Sequence, residues 1–339
     1  MCGVHQSHTK NNHQRKTLTF NPMRLIVSIP ALNEEEKIGQ TIGRIPRSFP
    51  GIDEVLVQVV DDGSSDRTAT VSREAGADFV VSHGVNRGVG KTFRTAVENA
   101  LGQGADVMAF IDADGQFDPR DIATLLEPVL LGKADMVSAD RFDHLKAKNI
   151  PWLKDRLNRL AAWLIGCFMN TDIKDLTCGF RVYSRETLLR LNLPGEFTYT
   201  QEVIIDALGK NLKVLWIPVE VTYFAERKSR VVRSISRYIQ QSARIIIKAV
   251  RDVRPMKFFG IPGLLLIGLS LISFITFFVL YISHGLKVTP YLNYLLFGSV
   301  TFLIGIQLLI FSFIADMIKS NRRLTEEALY LLKKAKYQK

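Results

Sequence analysis

Asp112 and Asp114, separated by one residue, follow an apolar run at Val107–Ile111 and lead into Gly115-Gln116. Two carboxylates this close repel each other unless a cation lies between them. With the neutral oxygen of Gln116 beside them, they suit a hard divalent metal, Mg2+ or Mn2+, completed by waters and a diphosphate. Acids recur after other apolar runs. Val55–Val60 ends in Asp61-Asp62-Gly63-Ser64-Ser65-Asp66, Met136–Ala139 runs into Asp140-Arg141, and Leu25–Ile29 leads into Pro30-Ala31-Leu32-Asn33-Glu34-Glu35. Asp66 before Thr68 and Asp118 before Pro119 read as helix caps. The others converge on one crevice.

The elements that must position them alternate. Leu25–Ile29, Val55–Val60, Phe79–Ser82, Val107–Ile111 and Met136–Ala139 read as buried strands, and Glu34–Arg44, Thr68–Ala75, Gly90–Leu101 and Asp121–Leu131 as the helices between them. Such alternation predicts an α/β, Rossmann-like domain with a mostly parallel sheet covered by helices on both faces. Ligands of such sheets bind outside the carboxyl ends of the strands, where the acids fall. Asn86-Arg87-Gly88-Val89-Gly90-Lys91-Thr92 imitates a phosphate loop, but Gly84 stands one residue too early for that motif.

The formal charge is +11 over 339 residues, and its location decides its meaning. Residues 227–257 carry +9, residues 319–339 carry +5, and the rest of the chain is −3. Between the basic segments, Phe258–Ser283 and Tyr291–Ile314 are nearly uninterrupted apolar runs, each long enough for a helix to cross a bilayer. The intervening loop holds one basic residue, Lys287, so the positive-inside rule places both flanks and the catalytic domain in the cytoplasm. Residues 231–257 show helical apolar spacing at Ile235, Tyr238, Ile239 and Ile246 with arginines on other faces, which predicts an interfacial amphipathic helix. The expected order is a disordered tail (1–22), a catalytic domain (23–230), the interfacial helix (231–257), a two-helix transmembrane domain (258–318) and a basic cytoplasmic tail (319–339). Three cysteines with no metal-ligand spacing read as free thiols. A nucleic-acid partner is excluded by where the basic charge sits.

The ordered motifs Pro-Ala-Leu-Asn-Glu-Glu, Asp-Asp-Gly-Ser-Ser-Asp, Asn86-Arg87-Gly88-Val89-Gly90, Asp-Ala-Asp-Gly-Gln, Asp140-Arg141-Phe142 and Asp175-Leu176-Thr177-Cys178-Gly179-Phe180-Arg181 resemble those of family 2 glycosyltransferases. Within that family the likeness is to polyprenyl-phosphate sugar transferases of the dolichyl-phosphate mannose synthase type, over roughly residues 23–230. The resemblance implies a nucleotide-diphospho-sugar transferase domain. Pro30, Leu32 and Glu34 would line the nucleotide with Val59 and Ala113, and Asp61 would hydrogen-bond its base. Asp112, Asp114 and Gln116 would hold the metal. Arg141 would bind phosphate or the acceptor, and Arg181 would shape the acceptor side. The family's Gly-x-Ser-Lys segment corresponds to Arg227-Lys228-Ser229-Arg230, where Lys228 and Arg230 keep the charge without the glycine.

The implied reaction moves a hexose, mannose ahead of glucose, from GDP-mannose or UDP-glucose to polyprenyl or dolichyl phosphate. A lipid phosphate is already largely ionised at neutral pH, so no general base is required. In-line attack would invert the anomeric carbon. The rivals are a membrane-anchored family 2 enzyme with a non-lipid acceptor, a processive polysaccharide synthase and a catalytically dead scaffold. Gln241-Ser242-Ala243-Arg244-Ile245 lacks the tryptophan of the processive signature, and two spans cannot enclose a polymer channel. A homo-oligomer through the paired spans is left open.

Overall fold

The first four apolar runs form the parallel half of one sheet. The computed structural model describes residues 22–142, 147–148, 152–192, 199–222, 240, 243–244, 247 and 250–338. Strands β1 (Arg24–Ala31) and β2 (Glu54–Asp61) pair in parallel from Arg24↔Glu54 to Ala31↔Asp61, so their acid-bearing ends finish level. Strand β3 (Phe79–Ser82) adds to β2, and β4 (Val107–Phe110) to the other side of β1. Helices α1 (Ile38–Gly43), α2 (Thr68–Glu74), α3 (Val89–Gly102) and α4 (Ile122–Leu130) cover the faces. Both faces are buried, which is why these strands read as continuous apolar runs.

Beyond β4 the sheet becomes mixed. The order is β3-β2-β1-β4-β7-β5-β8, with β5 at Met136–Asp140, β7 at Arg181–Ser184 and β8 at Val214–Pro218. Strand β7 runs antiparallel to both β4 and β5 and separates them. Its leading Arg181 breaks the apolar signature, so the sequence does not announce it as a strand. A short parallel pair, β6 (Ala147–Lys148) with β9 (Val221–Thr222), lies beside the sheet, and Gln116 O accepts from Thr222 N at 3.0 Å. Helices α5 (Trp152–Met169), α6 (Arg185–Arg190) and α7 (Tyr199–Gly209) complete the domain.

Alternate strand residues feed two cores. Val27, Ile29, Val57 and Ile111 meet α1 and α4 on one face; Ile26, Phe110 and Tyr183 meet Phe93 and Tyr199 on the other. Phe93 and Tyr199 stack with centroids 4.5 Å apart. One polar cluster is admitted: Gln58, within the sheet, donates to Ser28 and to Ala96 O and accepts from Asn99, satisfying each buried group.

Helices α8 (Pro255–Ser283) and α9 (Leu292–Lys336) form an antiparallel hairpin, and both are long and apolar enough to cross a membrane. Their contact is close because it is glycine-lined. A Cβ on Gly305 would stand 2.7 Å from Ile267 Cγ1, and one on Gly263 3.0 Å from the carbonyl of Gly305. The helix containing the second span does not end where the span does. It continues unbroken to Lys336, and its far end meets the catalytic domain, with Tyr330 Oη bonding Glu186 at 3.1 Å and Lys333 Nζ bonding Leu191 O at 2.8 Å. Arg190 lies over the Tyr330 ring at 4.3 Å. The segment expected as a basic tail is therefore a helix docked on α6, because its charges alternate with Tyr330 and with Glu326 and Glu327. The expected N-terminal tail (apart from Pro22), residues 227–230 and most of the interfacial helix lie outside the described residues.

Candidate active site

Polar side chains tie the loops after β1 and β2 together. Asn33, in the left-handed region at φ 52°, accepts from Ser65 N at 2.8 Å, and its own N–H donates to Ser64 Oγ at 2.9 Å. Glu34 N donates to Thr68 Oγ1 at 2.8 Å, and Glu35 accepts from Arg67 N at 2.9 Å. These bonds occupy Glu34–Lys37 as a turn, so α1 begins at Ile38 rather than at the expected Glu34. Pro30, Leu32 and Glu34 line this edge half-buried. Asp66 and Asp118 act as caps as expected, accepting from Thr68 N and Arg120 N.

Asp61, the residue expected to meet the base, is buried and accepts from Ser64 N at 3.0 Å and Ser82 Oγ at 2.8 Å. Its neighbour Asp62 organises the next loop. It accepts from Arg87 N at 3.0 Å and Gly88 N at 2.9 Å, and meets His83 Nδ1 at 2.8 Å; His83 Nε2 in turn meets Thr95 Oγ1 at 2.9 Å. The imitation phosphate loop thus has two of its N–H groups, those of Arg87 and Gly88, filled by a carboxylate of the protein itself. Gly63, at φ +79°, allows the approach: a Cβ there would lie 2.4 Å from the Val85 carbonyl carbon. The Asp62–His83 pairing joins residues 21 apart in sequence, and no local pattern points to it.

Asp112 and Asp114 sit just past the end of β4. Asp114 accepts from Gln116 N at 3.0 Å across Gly115, whose φ of +70° makes the turn, and Thr41 of α1 anchors the Ala113 carbonyl at 3.1 Å. Opposite them is Gly179, where a Cβ would be 3.0 Å from Asp112 Oδ2, so glycine keeps the cleft open for the carboxylate. Burial, then the charges of Asp114 and Glu34, push Asp112 up to about 7, against the pull of Arg141 and Arg181. Among the described residues no three His, Cys, Asp or Glu side chains form a complete metal cage. The donors fit a hard divalent ion that takes its remaining oxygens from water and a diphosphate.

The side expected to meet the acceptor is built from buried guanidiniums. Arg141 holds Asp175 bidentately, Nε to Oδ2 at 2.7 Å and Nη2 to Oδ1 at 3.0 Å, and donates to Thr177 Oγ1 at 2.6 Å. Arg141 and the hydrogen bonds of Thr177 hold the Asp175 carboxyl below its ordinary range despite its burial. Arg181 is 0% exposed, lies 5.9 Å from the Tyr199 ring centroid, and two of its nitrogens have no hydrogen-bond partner among the described residues. Both arginines expected at the acceptor thus stand in the wall of the cleft. Val59 and Ala113, expected to line the nucleotide, are packed in the core, Val59 with no exposed surface. Lys228 and Arg230 lie outside the described residues.

The family model described as Glycosyl transferase family 2 matches residues 26–191. Uncharacterized protein MJ1222 of Methanocaldococcus jannaschii is 31% identical over 218 residues, covering 62% of this chain and 86% of that protein. Polyprenol monophosphomannose synthase of Mycolicibacterium smegmatis is 29% identical over 209 residues, covering 59% and 77%. Among solved structures, glucosyl-3-phosphoglycerate synthase from Mycobacterium tuberculosis, in complex with Mn2+, uridine diphosphate and glucosyl-3-phosphoglycerate, shares the fold with a TM-score of 0.52 at 22% identity, over 68% of this chain and 80% of that one.

Proposed function

This chain belongs to glycosyl transferase family 2, and on that premise we propose that it transfers a hexose, mannose ahead of glucose, from a nucleotide-sugar to polyprenyl or dolichyl phosphate at the cytoplasmic membrane face. The observation that carries the reading is the Asp112–Asp114 pair at the end of β4, in a chain whose α8 and α9 are long and apolar enough to span a bilayer. The mannosyl preference draws on the name of the mycobacterial relative.

Asp112 and Asp114, with Gln116, would hold Mg2+ or Mn2+, which supplies charge neutralisation to the departing nucleoside diphosphate when bound. The remaining work falls to the protein. The Asn33–Ser65 and Asp62–Gly88 bonds fix the loops that frame the nucleotide end. Gly179 leaves room beside Asp112 for the sugar diphosphate. Arg141 and Arg181 supply positive potential from the wall, which lowers the repulsion between two phosphorylated substrates. The acceptor phosphate arrives ionised and attacks without a base. Attack from the face opposite the nucleotide inverts the anomeric centre.

Purified protein in membranes is incubated with labelled GDP-mannose or UDP-glucose, polyprenyl phosphate and either cation. Label entering the organic phase, with mannose ahead of glucose, is the expected result. Label confined to water-soluble product points to a non-lipid acceptor, and no turnover of any donor points to a scaffold.

A further inference from the structure

Helix α9 leaves one line of large apolar side chains uncovered along its whole length. Leu296, Leu303, Ile310, Met317, Leu324 and Leu331 recur every seven residues, and each is more than half exposed. A second exposed line, four residues on, holds Val300, Gln307, Ile314, Asn321, Ala328 and Ala335. Together the lines have the alternating spacing of three and four by which one helix meets another along a seam. The eight charged side chains between Lys319 and Lys336 all fall off both lines.

The opposite side of the helix is already occupied. Within the apolar stretch Gly298, Gly305 and Ser312 face α8, and past it Arg322, Glu326 and Tyr330 face the catalytic domain. Lipid accounts for exposure on the seam only as far as a bilayer reaches. Leu324 and Leu331, 73% and 56% exposed, follow Ile314, where the apolar run ends, by about 15 Å and 25 Å. Gln307 makes the converse case. It is exposed in the middle of an apolar run, with no hydrogen bond from its amide to any described residue. A carboxamide facing hydrocarbon calls for a hydrogen-bonding group on a neighbouring helix.

We propose that α9 pairs in parallel with α9 of a second copy of this chain, along the seam from Leu296 to Ala335. The proposal rests on reading α8 and α9 as spans, because copies inserted the same way round meet about a twofold axis along the membrane normal. That axis sets each seam residue against itself. Gln307 bonds Gln307 within hydrocarbon, and Asn321 bonds Asn321 in the cytoplasm. A single polar asparagine beside a line of leucines fixes register in a two-stranded parallel coil. A seam about 60 Å long and one helix diameter wide buries about 1,300 Å² in total, within the range of specific interfaces. The two catalytic domains, docked on the far sides of the paired helices, do not obstruct the contact.

Single cysteines test this in the full chain carrying Cys2→Ser and Cys167→Ser, Cys178 being buried. Leu324→Cys and Leu331→Cys lie on the seam, and Arg323→Cys is exposed beside it. Each variant is oxidised in phosphatidylcholine vesicles at high dilution of protein in lipid. We expect several-fold more disulfide-linked dimer at 324 and 331 than at 323. Adding Gln307→Leu should lower the yield at 324 about fivefold, and an unchanged yield counts against the proposal. Equal yields at 323 and 324 indicate random collision and overturn it. No dimer at any position, from protein that resists carbonate extraction, overturns the proposal and leaves the spans standing. Release by carbonate overturns both readings. The unsubstituted chain, kept reduced in detergent, should sediment as two copies; a single-copy mass overturns the proposal without relying on any variant.

Discussion

The two halves of the catalytic domain solve opposite electrostatic problems. From β1 to β4, negative side chains are stabilised by backbone N–H groups and hydroxyls: Asp61 by Ser64 and Ser82, Asp62 by Arg87 N and Gly88 N, Glu35 by Arg67 N. From β5 to β8, stabilisation comes from buried cations, with Arg141 clamped on Asp175 and Arg181 sealed within the wall. Neutral donors can hold a loop without cancelling its charge, so the first half keeps carboxylates available for a cation. A buried ion pair fixes geometry more rigidly, and neither partner can be removed without stranding the other's charge. The proposed donor half, which would receive a metal, and the proposed acceptor half, which would receive a phosphate, differ in just this way.

Asp114→Asn should have the largest effect, removing one carboxylate of the pair. Transfer should fall by about a thousandfold, with melting and membrane association unchanged. Near-normal turnover would erase the functional distinction between the halves. Arg141→Ala should be the most destabilising change in the second half, by about 3–5 kcal/mol, because it leaves Asp175 buried and unpaired. Replacing both partners with apolar residues should recover most of that loss in denaturant titrations.

Asp62→Ala tests the other half of the contrast. It frees Arg87 N, Gly88 N and His83 at once, and should cost about 1–3 kcal/mol together with a raised donor KM. A loss as large as that of Arg141→Ala would show that backbone donors carry as much as ion pairs here. The smallest effect concerns pH. Asp112 sits well above its ordinary value, so below about 7 a proton occupies the group that the metal needs. Mn2+ affinity should rise about tenfold from pH 6 to pH 8, read by calorimetry, and Asp112→Asn should flatten that slope.

Legibility in the sequence follows the same division. Strands β1 to β5 and the helices between them are marked by alternating apolar runs, and Asp112 and Asp114 identify themselves as like charges one residue apart at the end of such a run. The second half hides its organisation. Strand β7 opens with a fully buried arginine, which no hydropathy pattern would place inside a sheet. The partner of Arg141 lies 34 residues away, and that of Asp62 in His83 lies 21 away. The resemblance implies that Arg141 binds phosphate or the acceptor and that Arg181 shapes the acceptor side; only the packing of β5 against β7 shows how deeply both are buried. The basic charge beyond residue 319 reads as a basic cytoplasmic tail for a related reason. Lys210 approaches Glu326 and Arg190 approaches Glu327 from elements far apart in the chain, while Arg322 pairs with Glu326 within the helix.

The docked end of α9 also sets an order of events during synthesis. Tyr330 and Tyr337 help close the core around Phe93 and Tyr183, and Arg185 bonds the Tyr337 carbonyl. Residues 330–337 leave the ribosome after both apolar helices. The catalytic domain, although earlier in the chain, can therefore reach its final packing only once both apolar helices have been synthesised. A chain stalled before that point carries an unfinished core, open where Tyr330 and Tyr337 would pack.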